Sequence, residues 1–319
     1  MNKVFLFFSV LLSLQIYHLP ANAWGIIGHH TSAKIALDIL TNQKSPALIE
    51  INKLLKSEDF VKSSTWADEV RSSQKENWKQ TSTYHYEKMN DTDTYLLHLK
   101  NQTPDLINQG GVVEATIGAE NILKNKMATE IDKKNALKFL IHFIADMHQP
   151  LHTGRIADRG GNDIPIKWNG FDLNLHQVWD SQIIAMGHKE LFKDNLDQQI
   201  RSYADFLKVQ FKNTEMPDEN KLKYDDWIQE SLVPRADAYK YKDEEAQAYT
   251  NRFIKITDLR IYLAGVRIAF TLNRIFPGYM GTNKPTAESD ELARKLQHDM
   301  NLIVGDIDSI INLKPSFVF

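Results

Sequence analysis

The sequence predicts an all-α fold, and three observations carry that prediction. Apolar residues recur at three- and four-residue spacing over long stretches. Strand signals are confined to one short segment. A composition of 42% hydrophobic and 25% charged residues suits a globular body rather than a disordered chain or one that crosses a membrane many times. The helical stretches run over 27–40, 112–127, 136–147, 200–209, 246–256 and 259–275. The strand-forming segment, 163–175, follows Gly160-Gly161 and contains Asn169-Gly170, which predicts a small hairpin turning at the latter two residues. Pro277-Gly278 ends the last strong helix, and Lys284-Pro285 precedes a weaker helical stretch over 288–313. The expected organisation is one multi-helical domain over 24–276 with a C-terminal helical extension over 277–319.

The first 23 residues are of another kind. Lys3 leads into an apolar run over 4–17, shorter than the roughly 18 residues a membrane-crossing helix needs, and Ala21-Asn22-Ala23 is the small-x-small pattern that signal peptidase cuts after. This predicts a signal peptide over 1–23, a mature chain beginning at Trp24, and export to a periplasmic or secreted location, with no stable membrane association. No cysteine occurs, which excludes disulfides, thiolate zinc ligands, a cysteine nucleophile and a lipid on an N-terminal cysteine. The formal net charge of −3 excludes a generally basic surface for nucleic acid, so cations bound at a site would have to supply much of the attraction for a phosphate substrate. No protein partner is inferred.

The chemistry concentrates in 137–152. Helical spacing puts His142 and Asp146 on one face of a helix whose other faces are almost wholly apolar. An ionised Asp there costs several kcal/mol unless it is paired. A metal ion satisfies both side chains at once, because neutral imidazole and carboxylate are zinc ligands and the four-residue step brings their heads together. A buried His-Asp hydrogen bond is the other reading of the pair. Pro150 then breaks the helix, and His152 sits where the chain turns. His176 and Asp180 repeat the four-residue step, and two such pairs plus His152 make a cluster of the kind that holds several metals through oxygen and nitrogen. Upstream, Asp68 in Trp66-Ala67-Asp68 and His85 in Tyr84-His85-Tyr86 each add one candidate ligand among aromatics. Signatures of other hydrolases are missing from the sequence: there is no His-Glu-x-x-His, no Gly-x-Ser-x-Gly and no phosphate-binding loop.

Taken in order, Trp24-Gly25-x-x-Gly28-His29, Trp66-Ala67-Asp68, Tyr84-His85-Tyr86, His142-x3-Asp146-x5-His152, Gly160-Gly161-Asn162, His176-x3-Asp180 and Leu263-Ala264-Gly265-x-Arg267 resemble the successive motifs of the S1/P1 family of single-strand nucleases. The resemblance spans 24–276. It implies an all-α domain built around a cluster of three zinc ions. Asp68, His85 and His142 would hold the first ion. Asp146 would bridge it to a second, bound also by His29 and by the backbone nitrogen and carbonyl of Trp24, and His152, His176 and Asp180 would hold the third. Arg71, one turn after Asp68, matches a basic position that contacts the phosphate, and Tyr86 matches an aromatic on which a base stacks. Asp68, Arg71 and Asp146 are the expected catalytic residues. Where the family's better-known members carry a carboxylate that reads the base edge, this chain has Lys88, with Glu87 beside it, so weak preference among bases is expected.

The implied activity is hydrolysis of single-stranded DNA or RNA to 5′-phosphate products, together with 3′-nucleotidase activity, by a water activated at the ions and with no side-chain nucleophile. His30, His98, His148, His188 and His298 match no motif and are read as surface residues or neighbours of the ligands. Two other functions suit the same residues. A zinc-dependent phospholipase C shares the helical fold, but its relatives have a longer gap between the N-terminal Trp and the next His and end their last pair in Glu, whereas this chain has five residues and Asp180. A non-catalytic exported zinc-binding protein would have no need of open coordination positions.

Overall fold

Gly25 turns the chain into the first helix, α1 (Ile26–Asn42), which is followed by α2 (Ala47–Leu55), a 3-10 turn (Lys62–Thr65) and α3 (Trp66–Ser72). This is a computed structural model, and it describes residues 24–72, 80–101, 111–214, 223–241 and 245–277. The predicted signal peptide 1–23, His298 and the expected extension beyond residue 277 lie outside the described residues. A second 3-10 turn (Gln80–His85) delivers His85, and α4 (Tyr95–Asn101) and α5 (Val112–Lys124) precede the central helix α6 (Glu130–Asp146). Two 3-10 turns (Pro150–Thr153 and Ile156–Asp158) lead to the hairpin of β1 (Pro165–Trp168) and β2 (Phe171–Asn174). After it come α7 (Leu175–Gln177), a π-helical turn (Val178–Gln182), α8 (Ile183–Gly187), α9 (Leu196–Gln210), α10 (Tyr224–Ala238) and α11 (Ala246–Ile275).

The all-α expectation holds, and the predicted hairpin is the only sheet among the described residues. Asn169 and Gly170 have φ of 49° and 84°, the two positive values of a turn that matches the twist of its strands, and Trp168 pairs with Phe171 across it. Two of the changes to the expected boundaries are the largest. The stretches 246–256 and 259–275 form one continuous helix, because nothing between them removes a backbone donor or stops the helix. The central helix begins six residues before the expected 136. Its start is set by Thr129, whose side-chain oxygen accepts from the Asp132 backbone N–H at 3.1 Å, with Glu130 and Asp132 placing negative charge in the first turn.

Every residue of α6 from Asn135 to Asp146 is buried, so this helix is the axis about which the others pack. Leu137, Leu140, Ile141 and Ile144 join α1, α2, α5 and α10 in one apolar cluster. On its far side α1 lies along α11, and Gly265 permits the approach: a Cβ there would sit 2.7 Å from Ile35 Cβ and 2.8 Å from the Ser32 carbonyl. The C-terminal end of α6 is tied down by charge. Glu230 of α10 accepts from Arg267 at 2.6 and 2.8 Å and from Arg260 at 2.8 Å. Arg260 also donates to the His148 carbonyl at 3.1 Å, and the Arg267 guanidinium lies 2.8 Å from His148 Nε2. Buried charges of this kind are tolerated because they are paired, and the pairing holds the turn that follows Asp146.

Candidate metal centre

Four elements bring one set of side chains together. On α6, His142 and Asp146 are neighbours on one face, with His142 Nε2 3.1 Å from Asp146 Oδ2. His142 Nδ1 lies 2.6 Å from the Ser64 carbonyl, so the ring proton sits on Nδ1 and is donated to that carbonyl, and Nε2 is left facing the cluster. His85 Nδ1 sits 2.9 Å from His142 Nε2 and 3.1 Å from Asp146 Oδ2, and Asp68 Oδ1 lies 3.6 Å from His85 Nδ1 and 3.8 Å from His142 Nε2. From α1, His29 Nε2 reaches within 3.3 Å of Asp146 Oδ1, its ring stacked on His142 with centroids 4.0 Å apart.

The third group stands beside these two. His176 Nε2 is 3.5 Å from Asp180 Oδ2, and the His152 and His176 rings stack at 5.0 Å. The two residues are held by a capping box, in which Asn174 and Gln177 bond each other's backbone N–H at 2.8 and 3.0 Å, and by the π-helical turn that carries Asp180. Such turns concentrate at functional positions because they aim one side chain off the regular helical path. His152 Nδ1 meets the His85 carbonyl at 2.6 Å, and His176 Nδ1 meets the Gly160 carbonyl at 2.7 Å. Gly160 has a φ of +66°, and a Cβ on it would lie 2.5 Å from the Leu151 carbonyl, so the loop that orients His176 depends on glycine.

Burial governs the protonation states. It pushes His29, His85 and His152 well below the usual imidazole range and His176 down to about 4, leaving neutral rings with free lone pairs. The same burial pushes Asp146 up to about 7 and Asp180 well above the carboxylate range. For His142 burial acts downward but is outweighed by Asp146 and Asp68, and the net direction is up. His29 Nε2, Asp146 Oδ1, His152 Nε2 and Asp180 Oδ2 are all buried without a hydrogen-bond partner. Each such atom costs about 1–3 kcal/mol. These acceptors point at one another, and a cation is the species that satisfies them together. The donor set fits metal ions in three groups: His29, His142 and Asp146; Asp68, His85 and His142; His152, His176 and Asp180.

All the side chains expected as ligands therefore meet in one place, and His142 stands within reach of two groups rather than one. Trp24 is buried between α6 and the turn of Asp180, its indole N–H donating to the Ala145 carbonyl at 2.9 Å while the N–H of Gly25 donates to the Asp180 carbonyl at 2.9 Å. Arg71 Nη2 lies 2.9 Å from Asp68 Oδ1. It and Tyr86 line a cleft of about 280 Å³ that reaches His85, His152 and His176 and is also lined by Lys88, Arg159 and Asn162. The Lys88 ammonium lies over the Tyr86 ring, 5.0 Å from its centroid.

Of the unassigned histidines, none of the described ones is a simple surface residue. His148 is fully buried and holds the Ile144 carbonyl and Arg267, His30 and His98 are buried, and His188 bonds Asp258 at 2.7 Å. His30, next to His29 on α1, and His148, in the turn after Asp146, are directed away from the ligand cluster and into the core. Sequence reasoning missed Gln149, which donates to Asp180 Oδ1 at 2.7 Å while its carbonyl oxygen accepts from the Leu151 N–H. It also missed Arg235, a buried guanidinium bonded to the Met89 carbonyl at 2.8 Å and to Asp91 at 2.8 Å. A polar residue between His148 and Pro150 was a usable signal for the first. Nothing in the local sequence marks the second.

Residues 24–277 match the family model described as S1/P1 Nuclease. The chain belongs to the S1/P1 nuclease family. Among its relatives, Endonuclease 4 of Arabidopsis thaliana is 28% identical over 288 residues, covering 85% of this chain and 94% of the relative. Endonuclease 1 of the same plant is 29% identical over 80% of this chain and 87% of its own length. Nuclease P1 of Penicillium citrinum is 28% identical over 52% of this chain and 61% of its own length. The shared segment begins at Trp24 and ends just past α11, so every group of the cluster described above lies inside it.

Proposed function

We propose that this S1/P1 family member is a zinc-dependent endonuclease that hydrolyses phosphodiester bonds of single-stranded DNA and RNA to 5′-phosphate products, and that it also removes the phosphate of 3′-nucleotides. The observation that carries this reading is the convergence of three buried His and Asp groups, with unsatisfied acceptors, beside a cleft lined by Arg71 and Tyr86. Zinc suits the donors, which are imidazole and carboxylate without thiolate. When bound, zinc supplies activation of water for in-line attack on phosphorus and neutralisation of the leaving oxygen. The chain's own residues do the rest. Asp68, His85, His142, Asp146 and His29 hold two ions, with the backbone of Trp24, and His152, His176 and Asp180 hold a third. Arg71 directs its guanidinium to the phosphate being cut, and Tyr86 offers a ring to an unpaired base. A duplex cannot reach such a site, because stacking on Tyr86 requires a base free of its partner.

The same reading includes export. Cleavage after Ala23 would free the Trp24 amine, place the enzyme in the periplasm or outside the cell, and leave 277–319 as an appended helical extension. The test of the activity is direct: purified protein is offered single-stranded DNA, RNA, 3′-AMP and phosphatidylcholine side by side. Cleavage of the first three that chelator abolishes and zinc restores is the expected result. Hydrolysis of phosphatidylcholine alone would overturn the proposal.

A further inference from the structure

An acidic chain concentrates three cations in one cleft. Arg71, Lys88 and Arg159 all line it, and among the described residues no Asp or Glu does. Arg71 faces Asp68 and so belongs to the metal side, while Lys88 and Arg159 belong to the side of Tyr86. Lys88 is half-buried, rests its ammonium over the Tyr86 ring at 5.0 Å, and has no carboxylate within ion-pair distance among the described residues. Burial lowers its affinity for a proton and the neighbouring Arg159, a second cation that repels it, lowers it further, while Asp163 acts in the opposite direction without reversing the shift. Arg159 pairs through Nε with Asp163 at 3.1 Å, but both side chains are at least half exposed, and an exposed pair of this kind is worth at most about 1 kcal/mol.

The placement of Arg159 is nonetheless specific. Its φ is +52°, a left-handed conformation uncommon for a residue with a side chain, and the next carbonyl, that of Gly160, is the one that orients His176. Arg159 is thus held at a set position relative to the metal groups by the loop that builds one of them.

We propose that Lys88 and Arg159 form a binding site for a second phosphate of the substrate strand, the one that flanks the phosphate being cut. This rests on the nuclease reading above. Two like charges brought together in a cleft whose described lining holds no acid are stabilised when an anion lies between them, and a strand running through this cleft supplies one at each nucleotide. A base stacked on the Tyr86 face that Lys88 covers displaces the ammonium from the ring, and the phosphate of that nucleotide is the group beside it. Lys88 therefore reads the backbone, where a carboxylate at its position would read a base edge. The enzyme should accordingly favour strands over nucleotides that carry only the phosphate to be cut.

The experiment uses three short substrates, each followed at its internucleotide bond: a dinucleoside monophosphate, the same molecule with an added 5′-phosphate, and the same molecule with an added 3′-phosphate, whose removal is followed separately. Wild-type protein should show kcat/KM about tenfold higher for one of the two extended substrates than for the parent, which also identifies the side on which the subsite lies. In Lys88→Gln and Arg159→Gln that ratio should fall severalfold, and in the double variant it should approach one, with metal content unchanged by elemental analysis. The slope of log kcat/KM against log salt on single-stranded DNA should become shallower by about 0.7 per contact removed. A ratio that persists in the double variant overturns the inference alone. So does a Lys88→Gln variant that changes base selectivity on the parent substrate while the ratio stays put. Failure of the wild type to cut any of the three, or single-stranded DNA, overturns the nuclease reading and this inference with it.

Discussion

Replacing Gln149 by Leu, which has a similar volume and no hydrogen-bonding groups, tests how the third metal group is held. The wild-type side chain makes two bonds in a fully buried setting: its amide donates to Asp180 Oδ1, and its carbonyl oxygen accepts from Leu151 N–H in the turn that carries His152. Gln149→Leu leaves both partners buried and unsatisfied. At about 1–3 kcal/mol for each orphaned group, and allowing for local relaxation, the loss is about 2–4 kcal/mol. At about 2 °C per kcal/mol for a domain of this size, that lowers Tm by roughly 4–8 °C. Because a bond that orients a ligand is lost with it, affinity for the ion at His152, His176 and Asp180 should fall about 10–100-fold. The assay is stepwise removal of metal by chelator, followed by elemental analysis, beside thermal unfolding of the metal-loaded protein. One ion should leave at lower chelator concentration than in the wild type. If all the ions are retained as tightly as in the wild type while Tm falls, Gln149 supports the turn and does not orient Asp180, and the reasoning fails.

Three further outcomes are expected. Asp146→Asn should remove two ions and nearly all activity where Asp180→Asn removes one, because Asp146 faces ligands of both neighbouring groups; equal metal loss by elemental analysis would contradict this. Burial raises the Glu230 carboxyl, but bonds from Arg267 and Arg260 outweigh it and hold it below its usual 4.5. A carboxyl held low adds stability that is fully present above the unfolded value and is lost as pH falls through the folded one. Glu230→Gln should therefore cost about 3–5 kcal/mol in chemical denaturation near neutral pH, with the gap to the wild type narrowing below the usual carboxylate range. Finally, protein that begins at Trp24 should bind more zinc and cleave faster than the same protein with one additional N-terminal Ala, since an amide nitrogen is a poor ligand. Identical metal content and rate would remove Trp24 from the ligand set.

Much of this site was legible before any fold was known, because its ligands come in pairs. His142 with Asp146, and His176 with Asp180, are each four residues apart, and that spacing forces two heads together on any helical backbone. Asp68 and His85 carry no such local signal and rested on the order of motifs alone. The fold was legible where apolar periodicity is long, as in α1 and α11. The helices α2, α3, α4 and α10 were not anticipated, since α3 and α4 are only seven residues each and α10 carries Pro234 and a mixed polar face. Gln149, Ser64, Gly160 and Arg235 act through backbone carbonyls or through residues remote in sequence, and no spacing rule reports such contacts. His148 shows the opposite failure: next to the ligands in sequence, it is turned by the helix into the buried Arg267 and Glu230 network.

The hydrogen bond from His152 Nδ1 to the His85 carbonyl joins ligands of two different metal groups, and it does not stand alone. Glu87 N–H donates to the His152 carbonyl at 2.7 Å and Met89 N–H to the Gly154 carbonyl at 3.0 Å, so the segments bearing His85 and His152 lie side by side as a short ladder. An ion that fixes one ligand fixes the backbone on which the other leans. Occupancies of neighbouring groups are then linked quantities, and linkage is reciprocal: whatever free energy the first ion contributes to ordering the ladder is no longer owed by the next. Metal uptake by two groups so joined would be cooperative, steeper in free metal than independent sites would allow, and the same ladder carries Tyr86 and Lys88 of the cleft wall. An ion held at one group would thus bear on the wall beside Tyr86 and Lys88 as well as on its own ligands.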